Sequence, residues 1–142
     1  MRAPALLLLI ALTASTTFAL YAKACEICRE DKIAATYDYG VVSAAKRRGH
    51  TVVFAAIAGR LTPGDTAPAR VVAKRLAAVP GVDAGTVRTS LTPPAASFAC
   101  DPSRGAASRV AAANRALAGS GLSLTIVQIG APGEAPMVRA AR

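Results

Sequence analysis

Apolar positions Ile33, Ala34, Tyr37, Val41, Ala44 and Ala45 recur at intervals of three and four, with Arg29, Asp38, Lys46 and Arg47 on the opposite side. That periodicity predicts one amphipathic helix carrying the Cys-x-x-Cys pair, residues 25–49. Glu26, Glu30 and Asp31 lie in its first turns and Lys46, Arg47 and Arg48 in its last, the distribution a helix dipole favours. Gly49 stops the helix, and Gly40, worth about 1 kcal/mol against alanine, is a weak point where a bend is accommodated. The unbroken apolar run from Val52 to Ile57, bounded by Gly49 and Gly59, predicts a buried strand.

Beyond the turn residues Thr62, Pro63, Gly64 and Asp65, helical spacing returns at Val71, Val72, Leu76 and Val79. Asp65 or Thr66 caps this second helix and Pro80-Gly81 ends it. Val87, Thr89 and Leu91 alternate with polar residues, Pro93-Pro94 interrupts, and Ala96, Phe98 and Cys100 alternate again, which predicts a hairpin. Asp101-Pro102-Ser103 opens a helix carrying Ala106, Val110, Ala113 and Leu117, closed by Gly119-Ser120-Gly121. Leu122 to Ile129 forms the last strand. The order after the first helix is strand, helix, strand, strand, helix, strand. This predicts an α+β, ferredoxin-like βαββαβ sandwich preceded by one extra N-terminal helix. Only Gly49 and His50 separate that helix from the first strand, so the two pack antiparallel. The helix then covers the sheet face that the other two helices leave open.

The first residues change the picture from a bare domain to an exported one. Met1-Arg2 and the run Ala5 to Leu12 have the basic start and apolar stretch of an export leader, and Ala22-Lys23-Ala24 fits a small-x-small cleavage site. The segments are then a leader at 1–24, a Cys-x-x-Cys helix at 25–49, the ferredoxin-like domain at 50–130 and a Pro-, Gly- and Ala-rich tail at 131–142, predicted to be mobile. The expected location is periplasmic or secreted. Apolar and small residues continue to Ala22, close to the ~20 needed to span a bilayer, so an uncleaved membrane anchor is the alternative. Lipidation at Cys25 is a third reading, against which Lys23 counts.

Composition narrows the chemistry. Among 142 residues, aromatics make up 4% and tryptophan is absent, so the core is aliphatic and closely packed. Seventeen Lys and Arg against eight Asp and Glu give a formal charge of +9, a balance suited to an anionic partner. The cations are scattered (Arg60, Arg70, Lys74, Arg75, Arg88, Arg104, Arg109, Arg115) and not interleaved with aromatics. That argues against nucleic-acid recognition and for ordinary solvated faces, with a partner protein bearing an acidic surface kept open. One histidine, and no carboxylate pair, Ser-His-Asp set or Gly-rich phosphate loop, argue against an enzyme.

Cys25, Cys28, Cys100 and His50 carry what site chemistry remains. Cys25-x-x-Cys28 sits in the predicted first turn of a helix, where unpaired amides and the dipole favour thiolate, the form that binds metal and attacks disulfides. The pair therefore reads as a clip for a soft or borderline ion, copper(I) or zinc, as a redox dithiol, or as an inert disulfide that an oxidising compartment permits. A thioredoxin-like context is missing, since a leader and not a buried strand precedes Cys25. Cys100 shares a strand face with Phe98 and reads as a buried hydrophobe. His50 reads as a surface or capping residue. An unbroken helix from Cys28 to His50 would span roughly 33 Å at about 1.5 Å per residue, which excludes a shared zinc site.

The stretch Leu76-Ala-Ala-Val-Pro80-Gly81-Val82, the alternation from Val87 to Leu91 and the sequence Ala96-Ser-Phe98-Ala-Cys-Asp101-Pro102 resemble the heavy-metal-associated domain family over roughly residues 51 to 129. The resemblance implies the ferredoxin-like fold and metal handling. It departs at the site: where the family places Gly-Met-Thr-Cys-x-x-Cys after the first strand, this chain has Gly59 to Asp65 with no thiol. Soft ions need sulfur, so no ligand carries over to that loop. Metal binding then rests on Cys25 and Cys28, with a periplasmic thiol-disulfide or disulfide-stabilised interaction module as the alternative.

Overall fold

The computed structural model describes residues 28–131. The segment read as an export leader, Cys25 and the tail from residue 132 lie outside the described residues. The chain divides into two units, Met1–Asp31 and Lys32–Arg142. Helix α1 is described from residue 28 to residue 36. It is followed by α2 (Tyr39–Arg47), β1 (Thr51–Gly59), α3 (Ala67–Ala77), β2 (Arg88–Leu91), β3 (Pro94–Cys100), α4 (Ala106–Ala116) and β4 (Leu122–Ile129).

The strands form one sheet in the order β2-β3-β1-β4, every neighbouring pair antiparallel. The protein is therefore α+β. Strand β1 is central, and its side chains alternate between two cores. Val53, Ala55 and Ile57 point toward α3 and α4, packing with Val72, Leu76, Phe98, Val110, Ala113, Leu117 and Leu124. Val52 and Phe54 point the other way, joining Ile33, Ala45 and Ala99. The N-terminal helical segment thus covers the face that α3 and α4 leave open, as its short connection to β1 predicts. Fully burying a Phe or Ile side chain is worth about 2 kcal/mol, so Phe54 and Ile33 account for much of that attachment.

The single long helix predicted over residues 25–49 is broken at Tyr37–Asp38, not at Gly40. Asp38 leaves the helical region and its Oδ1 accepts a hydrogen bond from the Val41 amide at 3.1 Å, capping α2. Its Oδ2 receives the Arg88 guanidinium at 2.9 and 3.0 Å. Asp38 is an Asx cap, and the heptad-like spacing that placed it on a solvent face does not register such a restart. The C-terminus of α2 behaves as predicted: Gly49 takes φ +69 and the His50 amide reaches back to the Ala45 carbonyl at 2.9 Å.

Asp65 caps α3 through the Ala67 amide at 2.8 Å, while Thr66 makes no capping bond. Pro94 opens β3 instead of interrupting it; the break falls on the Thr92–Pro93 cis peptide. Ahead of α4 the chain makes a 3-10 turn at Pro102–Arg104, held by Asp101 on the Ser103 amide, and turns at Gly105 (φ +73) before the α-helix begins.

Arg109 departs from the solvated role predicted for the scattered cations. Only 8% exposed, it donates from Nη1 to the Pro80 carbonyl at 2.6 Å, and its guanidinium lies against Gly81. Gly81 has φ +84, and a β-carbon there would fall inside contact distance of the guanidinium. We expect Gly81→Ala to lower stability by about 3 kcal/mol, combining a left-handed alanine with a displaced buried donor. In an Arg109→Ala background only the backbone part should remain, so the two penalties should be non-additive in denaturant unfolding; simple additivity would contradict the packing described.

Candidate functional site

The three cysteines part company according to the layers just described. Cys28 lies in the first described turn of α1 and is exposed. Cys25, its partner in the motif, lies outside the described residues. Cys100 ends β3 opposite Thr51, is fully buried, and packs in the α3/α4 core. Its burial pushes the thiol up to about 11, with the nearby Arg109 charge pulling the other way. A thiol held protonated in an apolar core neither ligates a metal nor attacks a disulfide at neutral pH.

His50 caps α2 through its backbone amide, as expected, but its side chain is not a free surface group. Its Nδ1 meets Asp83 Oδ2 at 2.8 Å, and Arg48 Nη2 meets the same oxygen at 3.1 Å. Asp83 in turn donates its amide to the Ala99 carbonyl at 2.9 Å. The three side chains clasp the end of α2 to the segment between α3 and β2. The break at Tyr37–Asp38 removes the rigid-rod premise by which Cys28 and His50 were separated. Among the described residues, no group of three His, Cys, Asp or Glu is placed to hold a metal ion.

The Gly59 to Asp65 loop, where the resembling family carries its thiols, presents exposed Arg60, Thr62, Pro63 and Asp65 and a half-buried Leu61 packed on the core. A turn closes it through the Asp65 amide on the Thr62 carbonyl at 3.1 Å. Nothing in it offers sulfur.

Two carboxylates are held below the ordinary carboxylate range. For Asp38 the main cause is the Val41 amide, followed by the Arg88 hydrogen bond. For Asp101 it is the Ser103 amide and then the Ser103 hydroxyl at 2.7 Å, with the charges of Arg109 and His50 adding. Both groups are depressed by folding, so their contribution is present above the ordinary carboxylate pKa and is lost as pH falls through the lowered value.

Sequence reasoning missed three functional side chains of the scaffold. Ser97 is buried and donates to the Thr36 carbonyl at 2.7 Å, fixing the end of α1 to β3. Thr86 Oγ1 accepts from the Ala99 amide at 2.8 Å and donates to the Asp83 carbonyl. Arg109 stands at the third position after Ala106, between residues already assigned to the buried face of α4, and that spacing was the available signal.

Among the described residues, no helix is long and apolar enough to cross a membrane.

Cys100 generates a pH-dependent expectation. Its thiol ionises near 9.0 when unfolded and near 11 when folded, so ionisation favours the unfolded chain. Stability attributable to this group is complete below about pH 9 and declines as pH rises through about 11, by roughly 3 kcal/mol in all. Cys100→Ala should cost about 1 kcal/mol near neutrality and remove that decline relative to wild type in urea melts. In the reduced native protein a thiol reagent should modify Cys28 and spare Cys100; rapid modification of Cys100 would contradict its placement in the core.

No family model, curated protein or solved structure matches the chain.

Proposed function

We propose that this is an exported, non-enzymatic metal-binding protein that holds or carries a soft or borderline ion, copper(I) or zinc, through Cys25 and Cys28. The observation that carries the reading is the exposure of Cys28 at the described start of α1, three positions after Cys25, while the third thiol is sealed in the core. A two-sulfur clip at a helix start suits a soft ion, and a partner molecule or a second ligand donor completes its coordination.

The scaffold in this reading is a ferredoxin-like sandwich of the heavy-metal-associated type. Its support is the βαββαβ element order, the all-antiparallel strand order β2-β3-β1-β4, and the packing of α3 and α4 on one sheet face. The additional helices on the opposite face and the thiol-free Gly59 to Asp65 loop set it apart from that type.

An acidic protein surface is the partner this proposal favours. Within Lys32 to residue 131, Asp38, Asp65, Asp83 and Asp101 are each engaged by a protein donor. Arg70, Lys74, Arg75, Arg104 and Arg115 are all exposed on or beside α3 and α4. The charge balance of the domain is therefore left to an external anion.

The deciding measurement is a metal titration of the reduced protein lacking residues 1–24. One equivalent of copper(I) or zinc should bind, binding should disappear in Cys25→Ser and in Cys28→Ser, and Cys100→Ala should leave the stoichiometry unchanged. A stable Cys25–Cys28 disulfide with no uptake after reduction would replace this reading with a thiol-disulfide or disulfide-stabilised interaction module.

A further inference from the structure

Strand β4 is an edge strand of eight residues, Leu122–Ile129, without a single charged side chain. Long uncharged edges are templates for pairing with another chain, and proteins blunt them with charge, proline, shortness or cover. The other edge, β2, is only four residues long, carries Arg88 and runs into Pro93 and Pro94. Within Leu122–Ile129, β4 has neither charge, proline nor shortness.

Its protection comes from α4. Asn114 accepts the Leu124 amide on Oδ1 at 2.7 Å and donates from Nδ2 to the Leu124 carbonyl at 3.0 Å. These two bonds reproduce what a neighbouring strand would make with that residue, and both are met only with the carboxamide in this orientation. They also establish which backbone groups face outward. Leu124 sits opposite Ile57 with its amide and carbonyl turned away from β1. By the alternation of an antiparallel ladder, Leu122 and Ile126 face outward as well. Leu122 is closed by Ser120, whose hydroxyl accepts its amide at 3.2 Å. The outward groups of Ile126 meet no protein donor or acceptor among the described residues, and Ile129 beyond it is 44% exposed.

We propose that Asn114 acts as a surrogate strand that keeps β4 from pairing with the β4 of a second copy. A second copy is the occupant the strand itself selects. Two-fold pairing sets the edge antiparallel to itself, and a strand with no charge meets no like charge there. The two four-stranded sheets would then join into one, with the leucine faces of both β4 strands on the same side. This proposal is independent of the thiol pair.

The test compares wild type with Asn114→Ala by analytical ultracentrifugation over a wide concentration range. Wild type should remain monomeric, and Asn114→Ala should dimerise at least tenfold more tightly. Adding Thr125→Lys, which places a charge at an exposed position of the same strand, should return the variant to monomer. A folded Asn114→Ala protein that stays monomeric, or a wild type that already pairs through β4, overturns the proposal. Should Asn114→Ala fail to fold, hydrogen exchange in wild type decides. The Leu124 amide should exchange at least tenfold more slowly than that of Ile126, and equal rates overturn the assignment.

Discussion

Strand β1 is buried on both of its faces, and that constraint organises the molecule. A strand reading Val-Val-Phe-Ala-Ala-Ile cannot be satisfied by one helical layer, because alternate side chains project in opposite directions. Val53, Ala55 and Ile57 require α3 and α4; Val52 and Phe54 require something else. The N-terminal segment supplies it with Ile33 and Ala45, so its amphipathic stripe and the second face of β1 are two halves of one packing problem. Central placement between β3 and β4 follows, since only a strand paired along both edges satisfies its backbone while buried on both sides.

Periodicity made the architecture legible because burial imposes it. The last strand emerges with the boundaries its pattern implied, and β1 and α3 differ from expectation by a residue or two at their ends. What periodicity could not register is side-chain replacement of backbone hydrogen bonds. Asp38 lies in phase with the solvated side of a helix, yet its carboxylate caps the start of α2 and holds Arg88. Ser97 and Thr86 are ordinary strand and turn residues by composition; only the fold brings the Thr36 carbonyl and the Ala99 amide to their hydroxyls.

The candidate site was legible unevenly and for physical reasons. Cys100 announced its burial through its alternation with Phe98. Arg109 carried the same kind of signal on α4, but charge is a strong reason to assign a residue to solvent, and a single carbonyl partner with a glycine beneath it is invisible before the chain folds. His50 found its partner Asp83 thirty-three positions away, a contact that no local pattern encodes. Cys25 and Cys28 were legible as a motif because their spacing is local, and for the same reason the motif says little about the rest of the coordination they would complete.

The interruption between α1 and α2 has a mechanical meaning. Thr36 before it is tied to Ser97, and Asp38 after it is tied to Arg88. Ser97 and Arg88 are directly opposite each other across the β2–β3 ladder. One cross-strand pair therefore grips the chain on both sides of a two-residue gap, making a pinned joint where a loose linker would ordinarily stand. A load on Thr36 or on Asp38 is delivered to that single rung, at the shortest strand of the sheet, so the joint yields only when the rung does.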